Sequence, residues 1–308
     1  MPNTLNDRVA IVTGAGRGIG RGVALMMAQE GASVVVNDLG GAVDGSGSSA
    51  TAADEVVAEI VAGGGTAVAN HESVTSMEGG EDIVRTAIDS FGKLDIVVTP
   101  AGILRDRMVF NMTEDEWDDV IAVHLKGTFT VVKHAAILFR QQRSGRIITF
   151  SSESGLFGNS GQANYAAAKS GIAGFTKVVA RDLGRYGVTA NSIAPRASTR
   201  MIATVPDTAR QMWRQREESR AAESDPASEL DPQEIAPFVC YLASDFASNV
   251  NGQIFLVYGS NITLLTQPRR TRTIFKDGRW TLEELNELVP KNITQGLPNP
   301  SPPLPSRQ

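Results

Sequence analysis

The sequence predicts an α/β fold: one doubly wound domain on a seven-stranded parallel sheet, helices on both faces, and a C-terminal extension. From Val9 to about Ser260, short β-branched runs alternate with helical patterns, which is typical of a parallel sheet. Several runs are apolar throughout, as expected for strands covered on both faces. We find no internal repeat, so the sequence predicts a single domain over residues 1–260 and an extension over 261–308.

Seven segments are predicted strands: 9–14, 33–38, 66–71, 94–99, 146–151, 188–194 and 252–257. Three segments fall outside the alternation. Residues 40–50 are Gly- and Ser-rich and indicate a flexible surface loop. Residues 200–230 form a long insertion, predicted to be a lid over a substrate. The extension contains "TLEE", a capping box that predicts a short helix, and a Pro-rich end that predicts disorder.

Composition limits the class of function. Hydrophobic residues are 42% and charged residues 20% of the 308-residue chain, as in soluble globular proteins. We expect no membrane span and no signal peptide, and therefore a cytoplasmic protein. The net charge of −5 argues against a nucleic-acid partner. The single Cys240 excludes an internal disulfide and a cysteine-based metal site.

A Gly-rich turn joins the first strand to the first helix, with Thr13, Gly14, Gly18 and Gly20 in the pattern Thr-Gly-x-x-x-Gly-x-Gly. Glycines allow a tight turn close to a pyrophosphate, and the helix N-terminus offers free N–H groups and a positive dipole end. In this position between strand and helix, the pattern predicts a dinucleotide site.

Asp38 ends the second strand, where a carboxylate accepts hydrogen bonds from ribose hydroxyls and repels a 2′-phosphate. It favours NAD over NADP as the cofactor. Arg17 and Arg21 keep NADP open as the alternative. Glu72, after the third strand, is a candidate acceptor for the adenine amino group.

Tyr165 and Lys169 are four residues apart in a helical run, so they share one helix face. Ser152 lies at the end of the fifth strand, on the edge where open α/β sheets bind ligands. A nearby ammonium and the positive charge of oxidised nicotinamide favour the tyrosine phenolate. Tyr165 can then take an alcohol proton while hydride leaves, and Ser152 can hold the substrate oxygen.

In the order and spacing of these motifs, residues 7–260 resemble the short-chain dehydrogenase/reductase family. The resemblance implies a Rossmann-type domain, an NAD(P)-dependent oxidoreductase, a homodimer or homotetramer, and no metal. It also implies further cofactor contacts, at Ile19, Ser73, Val74, Ala101, Gly102, Pro195 and Thr199.

Several strings, among them "VVVNDLGG", "AGILRDR" and "GNSGQANYAAAK", resemble the (3R)-hydroxyacyl-CoA dehydrogenase module of peroxisomal multifunctional β-oxidation enzymes. That module is NAD-dependent and also oxidises some steroid alcohols. The resemblance implies a 3-hydroxyacyl-CoA substrate, with a steroid or other alicyclic alcohol, free or as a CoA thioester, as the alternative. A nucleotide-binding regulator without turnover stays a third hypothesis, although such a protein would be expected to lose Ser, Tyr or Lys.

The chain departs from the family pattern at Pro100, Arg196 and His124, and from the related module at Glu72. Pro100 stands where the family has Asn, and it removes an N–H beside the cofactor. Arg196 follows Pro195 where the family has Gly, and its side chain either contacts substrate or turns to solvent. Glu72 stands where the related module has Asp.

The predicted lid contains Met201, Met212 and Trp213, which are candidates for a hydrophobic substrate pocket or for ordinary packing. In the extension, Arg269, Arg270 and Arg272 are either plain surface charge or contacts to the phosphates of coenzyme A.

His124 stands where the family usually has Asn, a residue that completes a tetrad with Ser, Tyr and Lys, whereas the related module also carries His at this position. The resemblance therefore places His124 at the proton-relay position beside Lys169, as a relay member or as a structural substitute. Since His71 and His134 show no ligand spacing with it, we expect no metal.

Overall fold

An eight-stranded sheet forms the centre of the computed structural model, which describes residues 3–197, 231–297 and 300. Its strands run in the order β3-β2-β1-β4-β5-β6-β7-β8, and only β8 is antiparallel to its neighbour. In chain order the strands are β1 Val9–Thr13, β2 Ser33–Asn37, β3 Thr66–Asn70, β4 Ile96–Thr99, β5 Gly145–Phe150, β6 Val188–Pro195, β7 Ile254–Tyr258 and β8 Asn261–Leu264. The doubly wound α/β prediction is confirmed, and the predicted count of seven strands is corrected to eight.

The eighth strand lies in residues that the sequence assigned to the extension. It has only four residues, Asn-Ile-Thr-Leu, and all four are exposed, so it is not one of the longer, buried apolar runs that identified the other strands. β8 is identified by its antiparallel pairing with β7, which runs from Tyr258 opposite Asn261 to Phe255 opposite Leu264.

Helices cover both faces of the sheet. Within residues 1–265 the helices are α1 Gly18–Gln29, α2 Thr51–Ala62, α3 Met77–Phe91, α4 Glu114–Ile121, α5 Gly127–Gln142, α6 Glu153–Phe157, α7 Ala163–Gly184 and α8 Ala236–Ala243. A further helix, α9 Leu282–Asn292, lies in the C-terminal extension. Short 3₁₀ turns lie at Val109–Asn111, Pro232–Ile235 and Asp245–Ala247. Alternate residues of β1 enter opposite cores: Val12 packs with Val23 of α1, whereas Ile11 packs with Ile83 of α3. Burial on both faces explains why the strand sequences are apolar throughout.

A five-residue π-helical turn, Ala122–Lys126, joins α4 to α5, so the chain is helical from Glu114 to Gln142. By length and composition alone, this helix is sufficient to cross a bilayer, which corrects the expectation that no segment is long and apolar enough. In its most apolar window 44% of the residues are buried within the fold, and Val131, Val132 and Ala135 belong to the core. We therefore interpret it as a core helix.

The chain divides into two compact units, residues 1–265 and 266–308. In the second unit, the predicted capping box is present at Thr281 and Glu284 and begins α9. Lys276 pairs with Glu284 at 2.6 Å. Arg272 donates to the carbonyl oxygens of Ile293 and Gln295, at 2.9 and 2.6 Å. Arg272 is thus engaged in the unit's own backbone. Most of the Pro-rich end lies outside the described residues.

Candidate active site

The loop between β1 and α1 forms a cradle of backbone amides. Gly14 has a φ of +58°, and a Cβ there would lie 2.7 Å from the Cα of Ala101, so only glycine fits. Thr13 Oγ1 accepts a hydrogen bond from the Ala101 amide at 3.4 Å. The residue before α1, Arg17, gives no side-chain cap. The first N–H groups of the helix therefore remain without a side-chain acceptor, which is the arrangement that binds a phosphate.

Asp38 is held by that cradle. Its carboxylate accepts from the Gly16 amide at 2.8 Å and from the Gly40 amide at 2.6 Å. The carboxylate therefore lies at the edge of the Gly-rich turn, at the carboxyl end of β2. Of the two arginines that left NADP open, Arg21 pairs with Glu59 of α2, and Arg17 is exposed.

The Gly- and Ser-rich segment 40–50 is bound to the fold at several places, although its composition predicted a flexible surface loop. Ser49 donates its amide to the carbonyl of Leu39, and the Leu104 amide donates to the carbonyl of Val43, both at 3.0 Å. The segment thereby connects the end of β2 with the residues that follow β4.

A buried pair of amides supports the other side of the nucleotide site. Asn37 Nδ2 donates to Asn70 Oδ1 at 2.8 Å and to the Glu72 carbonyl at 2.9 Å. The Glu72 amide donates to the same Asn70 oxygen at 3.0 Å, while the Glu72 side chain is exposed. Val74 follows, buried, and its carbonyl accepts from Thr130 at 2.7 Å. Neither asparagine was among the residues predicted from the sequence, although each is a polar residue that ends a largely apolar strand.

The three candidate catalytic side chains meet at the carboxyl end of β5. Ser152 begins α6 and accepts from the Ser154 amide at 3.2 Å. The Ser152 side chain is also hydrogen-bonded to Tyr165 of α7. On the same helix, Lys169 Nζ donates to the Phe150 carbonyl at 2.7 Å and lies 5.6 Å from the centre of the Tyr165 ring. The structure therefore brings together all three residues.

Burial governs the titration of this group. It raises the pKa of Tyr165 to about 12, an effect that the Ser152 hydrogen bond opposes and that the charge of Asp106 reinforces. Burial also lowers the pKa of Lys169 to about 7. The protein environment alone thus favours the neutral phenol, and a positive charge from outside the chain is needed to favour the phenolate at neutral pH.

His124 lies in the π-helical turn, buried beside Tyr165. Its Nε2 lies 2.7 Å from the Ile103 carbonyl and 3.1 Å from the Ile103 amide, and one tautomer can satisfy only one of them. Burial, and then the charge of Lys169, hold the pKa of His124 well below its ordinary value. A Cβ at Gly102 would overlap the imidazole, so the ring fills the space that this glycine leaves. The geometry is that of a neutral core imidazole at the edge of the site.

Arg196 neither points freely to solvent nor presents an unpaired charge to the site. It forms a two-point ion pair with Glu153, at 2.7 and 2.8 Å, and stacks over Tyr258 at 4.9 Å. Its amide donates to Val257 at 2.9 Å, which extends the pairing of β6, whose last residue is Pro195, with β7. Since Glu153 follows Ser152, the pair fixes the start of α6 to the end of β6.

Comparison with known proteins agrees with this geometry. The family model described as Enoyl-(Acyl carrier protein) reductase matches residues 14–259. This chain belongs to the short-chain dehydrogenase/reductase family. As a member it is an oxidoreductase with an NAD(P) cofactor, and the cradle between β1 and α1 fits such a nucleotide.

Three similar proteins illustrate the relationship. Hydroxyacyl-CoA dehydrogenase ChsB1 of Mycobacterium tuberculosis is 44% identical over 290 residues, covering 91% of this chain and 87% of the relative. Peroxisomal multifunctional enzyme type 2 of Mus musculus is 43% identical over 83% of this chain, which spans 32% of that longer protein. The crystal structure of a short chain dehydrogenase from Mycobacterium avium superposes with a TM-score of 0.78, at 43% identity, covering 92% of this chain and 93% of the other.

Several predicted positions of this short-chain dehydrogenase/reductase lie outside the residues that the structure describes. These are the lid and the candidate residues Thr199, Met201, Met212 and Trp213. Among the residues that the structure describes, no group of three or more His, Cys, Asp or Glu side chains could hold a metal ion. His71 instead lies 3.3 Å from Asp54.

Two further polar residues, Gln162 and Asn164, support the site and were not predicted from the sequence. Gln162 Nε2 donates to Asp106 at 2.8 Å, and Gln162 Oε1 accepts from Ser154 at 2.7 Å. Asn164 donates to the carbonyls of Arg105 and Glu116, at 2.9 and 2.8 Å. The sequence signal was their position, within three residues before Tyr165.

Proposed function

We propose that this enzyme is an NAD-dependent dehydrogenase of 3-hydroxyacyl-CoA thioesters. The observation that carries the reaction type is the meeting of Ser152, Tyr165 and Lys169 at the carboxyl end of β5. The similarity to hydroxyacyl-CoA dehydrogenase ChsB1 over 91% of the chain supports the substrate class. We also propose a homodimer or homotetramer, which light scattering of the purified protein tests, and a cytoplasmic location, which subcellular fractionation tests.

Tyr165 acts as the acid/base. In the oxidising direction its phenolate takes the proton of the substrate hydroxyl, so that the C–O bond becomes a carbonyl as the carbon gives up hydride. Ser152, bonded to Tyr165, donates to the substrate oxygen and orients it. When bound, oxidised nicotinamide accepts the hydride, and its positive charge favours the Tyr165 phenolate against burial.

Lys169 and His124 support that base. We assign two roles to Lys169. It binds the ribose of the nicotinamide half of the cofactor, and it lies on the path by which the proton leaves Tyr165. The Phe150 carbonyl, which accepts from Lys169 Nζ at 2.7 Å, orients the amine. His124 occupies the proton-relay position, and its neutral, buried ring supports the role of a structural substitute for Asn.

Asp38 supports the preference for NAD. Its carboxylate is fixed by the Gly16 amide of the cradle and by the Gly40 amide after β2, where it can accept from ribose hydroxyls and would repel a 2′-phosphate. The pairing of Arg21 with Glu59 leaves this arginine less suited to a 2′-phosphate.

The experiment compares substrates and variants of the purified full chain. NADH formation is followed with a panel of 3-hydroxyacyl-CoA thioesters and with free steroid and alicyclic alcohols. We expect turnover of the thioesters. Turnover of the free alcohols alone would replace the substrate class by the alicyclic alternative.

Tyr165→Phe tests the mechanism against the third hypothesis, a regulator without turnover. We expect turnover to fall by at least about 10³-fold, because the variant lacks the acid/base. Tyr186→Phe is the matched control, since Tyr186 stacks with Arg143 and Arg185 away from the three candidate residues. Full activity in Tyr165→Phe would exclude the proposed base.

A further inference from the structure

Asp106 is a carboxyl group in the active-site region that the proposed reaction does not use. It lies in the segment after β4 and is partly buried. Its Oδ2 accepts from Gln162 at 2.8 Å, whereas its Oδ1 is buried and has no hydrogen-bond partner among the described residues. A buried carboxylate with one oxygen unpaired is costly, so its retention needs a reason.

A chain of hydrogen bonds connects Asp106 to the start of α6. Gln162, itself 4% exposed, accepts from Ser154 Oγ at 2.7 Å and from Asn159 at 3.1 Å. The Ser154 amide in turn donates to Ser152 at 3.2 Å. The Asp106 carboxylate thus orients the Gln162 amide, and this amide holds the segment between Ser152 and Tyr165.

Asp106 also acts on Tyr165 through its charge, which raises the pKa of the phenol. Burial raises the pKa of Asp106 itself, and the Gln162 hydrogen bond opposes that rise. Its neighbours Arg105 and Arg107 are engaged, by Asp119 at 3.1 Å and Glu116 at 2.7 Å. The charged and titratable groups on the surrounding elements are Tyr165, Lys169, His124, Glu116, Asp119, Arg105, Arg107 and the Glu153–Arg196 pair.

We propose that Asp106 is a positioning residue of the dehydrogenase, one that holds the Ser152–Gln162 segment through Gln162 and keeps a negative charge beside Tyr165. The inference rests on the proposed function for its catalytic meaning. The charge opposes formation of the phenolate and favours return of the proton to Tyr165. Asp106 therefore adds to the larger effect of burial and raises the pH at which the base becomes available.

Asp106→Asn and Asp106→Ala separate the two roles. Asn keeps an oxygen that can accept from Gln162 but removes the charge, whereas Ala removes both. Asp115→Asn is the matched control, since Asp115 is an exposed carboxylate in the first turn of α4. The titration of Tyr165 is measured by tyrosinate absorbance of the enzyme with saturating NAD⁺ and no substrate, each variant against its own Tyr165→Phe derivative.

We expect both Asp106 variants to move the Tyr165 midpoint, and the rising limb of the oxidation rate, to lower pH by roughly 0.5–1 unit. The maximal rate should fall about tenfold in Asp106→Ala and by less than about threefold in Asp106→Asn, because Asn preserves the Gln162 contact. Asp115→Asn should move neither quantity.

An unchanged tyrosinate midpoint in Asp106→Asn would overturn the charge role, and equal maximal rates in Asn and Ala would overturn the positioning role. Because the absorbance titration needs no substrate, it still decides the charge role if no hydroxyacyl-CoA is turned over. An absence of hydroxyacyl-CoA turnover would contradict only the proposed substrate.

Discussion

The ring of His124 stands edge-on to the ring of Tyr165, with 5.1 Å between centroids and 83° between planes. Gly102 and Ile103 line the other side of the imidazole. The family's Asn is smaller, so the histidine here fills volume as well as making a hydrogen bond.

His124→Asn therefore tests packing against proton transfer. We expect a loss of about 1–3 kcal/mol in the free energy of unfolding, from the lost ring volume and the altered Ile103 contact. We expect the pH profile of turnover to stay unchanged, because burial keeps the imidazole neutral in the assay range. Chemical denaturation and a pH–rate profile measure the two effects. A lost or displaced limb in the profile would instead assign His124 to the relay.

Lys169→Met should abolish turnover and yet stabilise the fold at neutral pH. Burial lowers the pKa of Lys169 from 10.5 to about 7, so between these values the unfolded chain binds more protons. The contribution of Lys169 to stability therefore rises with pH through this range and is least favourable at and below pH 7. At pH 7, we expect the free energy of unfolding of Lys169→Met to exceed that of the wild type by roughly 1–2 kcal/mol. This difference should disappear as the pH approaches 10.5.

Lys177→Met, on the same helix, is the control for the loss of a lysine. Denaturation curves at several pH values provide the comparison. A Lys169→Met variant less stable than the wild type at pH 7 would show that the hydrogen bond from Lys169 to the Phe150 carbonyl stabilises the fold by more than burial of the amine costs.

Asp38→Ala should reduce the preference for NAD. We expect the ratio of kcat/KM for NAD to that for NADP to fall by about 10-fold or more, because the repulsion of a 2′-phosphate and the ribose contacts are both removed. The KM for NAD should also rise, since the Gly16 and Gly40 amides lose their acceptor. Asp44→Ala, in the segment 40–50 that follows Asp38, is the control and should leave the ratio of the two kcat/KM values unchanged. A wild-type enzyme that prefers NADP would contradict the role given to Asp38.

The ion pair between Arg196 and Glu153 should stabilise the fold. Arg196 should not serve as a contact for a charged substrate. A double-mutant cycle with Arg196→Met and Glu153→Gln, measured by denaturation, should give a coupling energy of about 0.5–1 kcal/mol, because both side chains are only partly buried. We also expect KM for hydroxyacyl-CoA to change less than about threefold in Arg196→Met. A large rise in KM for thioesters, with KM for uncharged alcohols unchanged, would make Arg196 a substrate contact.

The elements that could be predicted from the sequence are those whose residues form a recognisable pattern over a short stretch of chain. The strand of Val9–Thr13, the turn at Gly14 and the helix that carries Tyr165 and Lys169 each show a pattern within a few residues. The parallel order of the strands follows from their alternation with helices.

The contacts that the sequence did not reveal join residues far apart in the chain. Asp106 and Gln162 are 56 residues apart, and Glu153 and Arg196 are 43 apart. Nothing local to Arg196 indicates that Glu153 is its partner, so the sequence left both solvent exposure and substrate contact open for this side chain. β8 was missed because the run Asn-Ile-Thr-Leu is short, and its own residues do not indicate that it pairs with β7.

The pairing of β8 with β7 has a consequence for where this chain can be shortened. A protein ending at residue 260, the boundary that composition suggests, would expose the backbone donors and acceptors of β7 along an open sheet edge, which invites aggregation. A protein ending at Leu265 retains that cover, because the Leu265 amide donates to the carbonyl of Ile254 at 2.9 Å. Truncation for crystallisation, or fusion to another protein, is therefore best placed after Leu265.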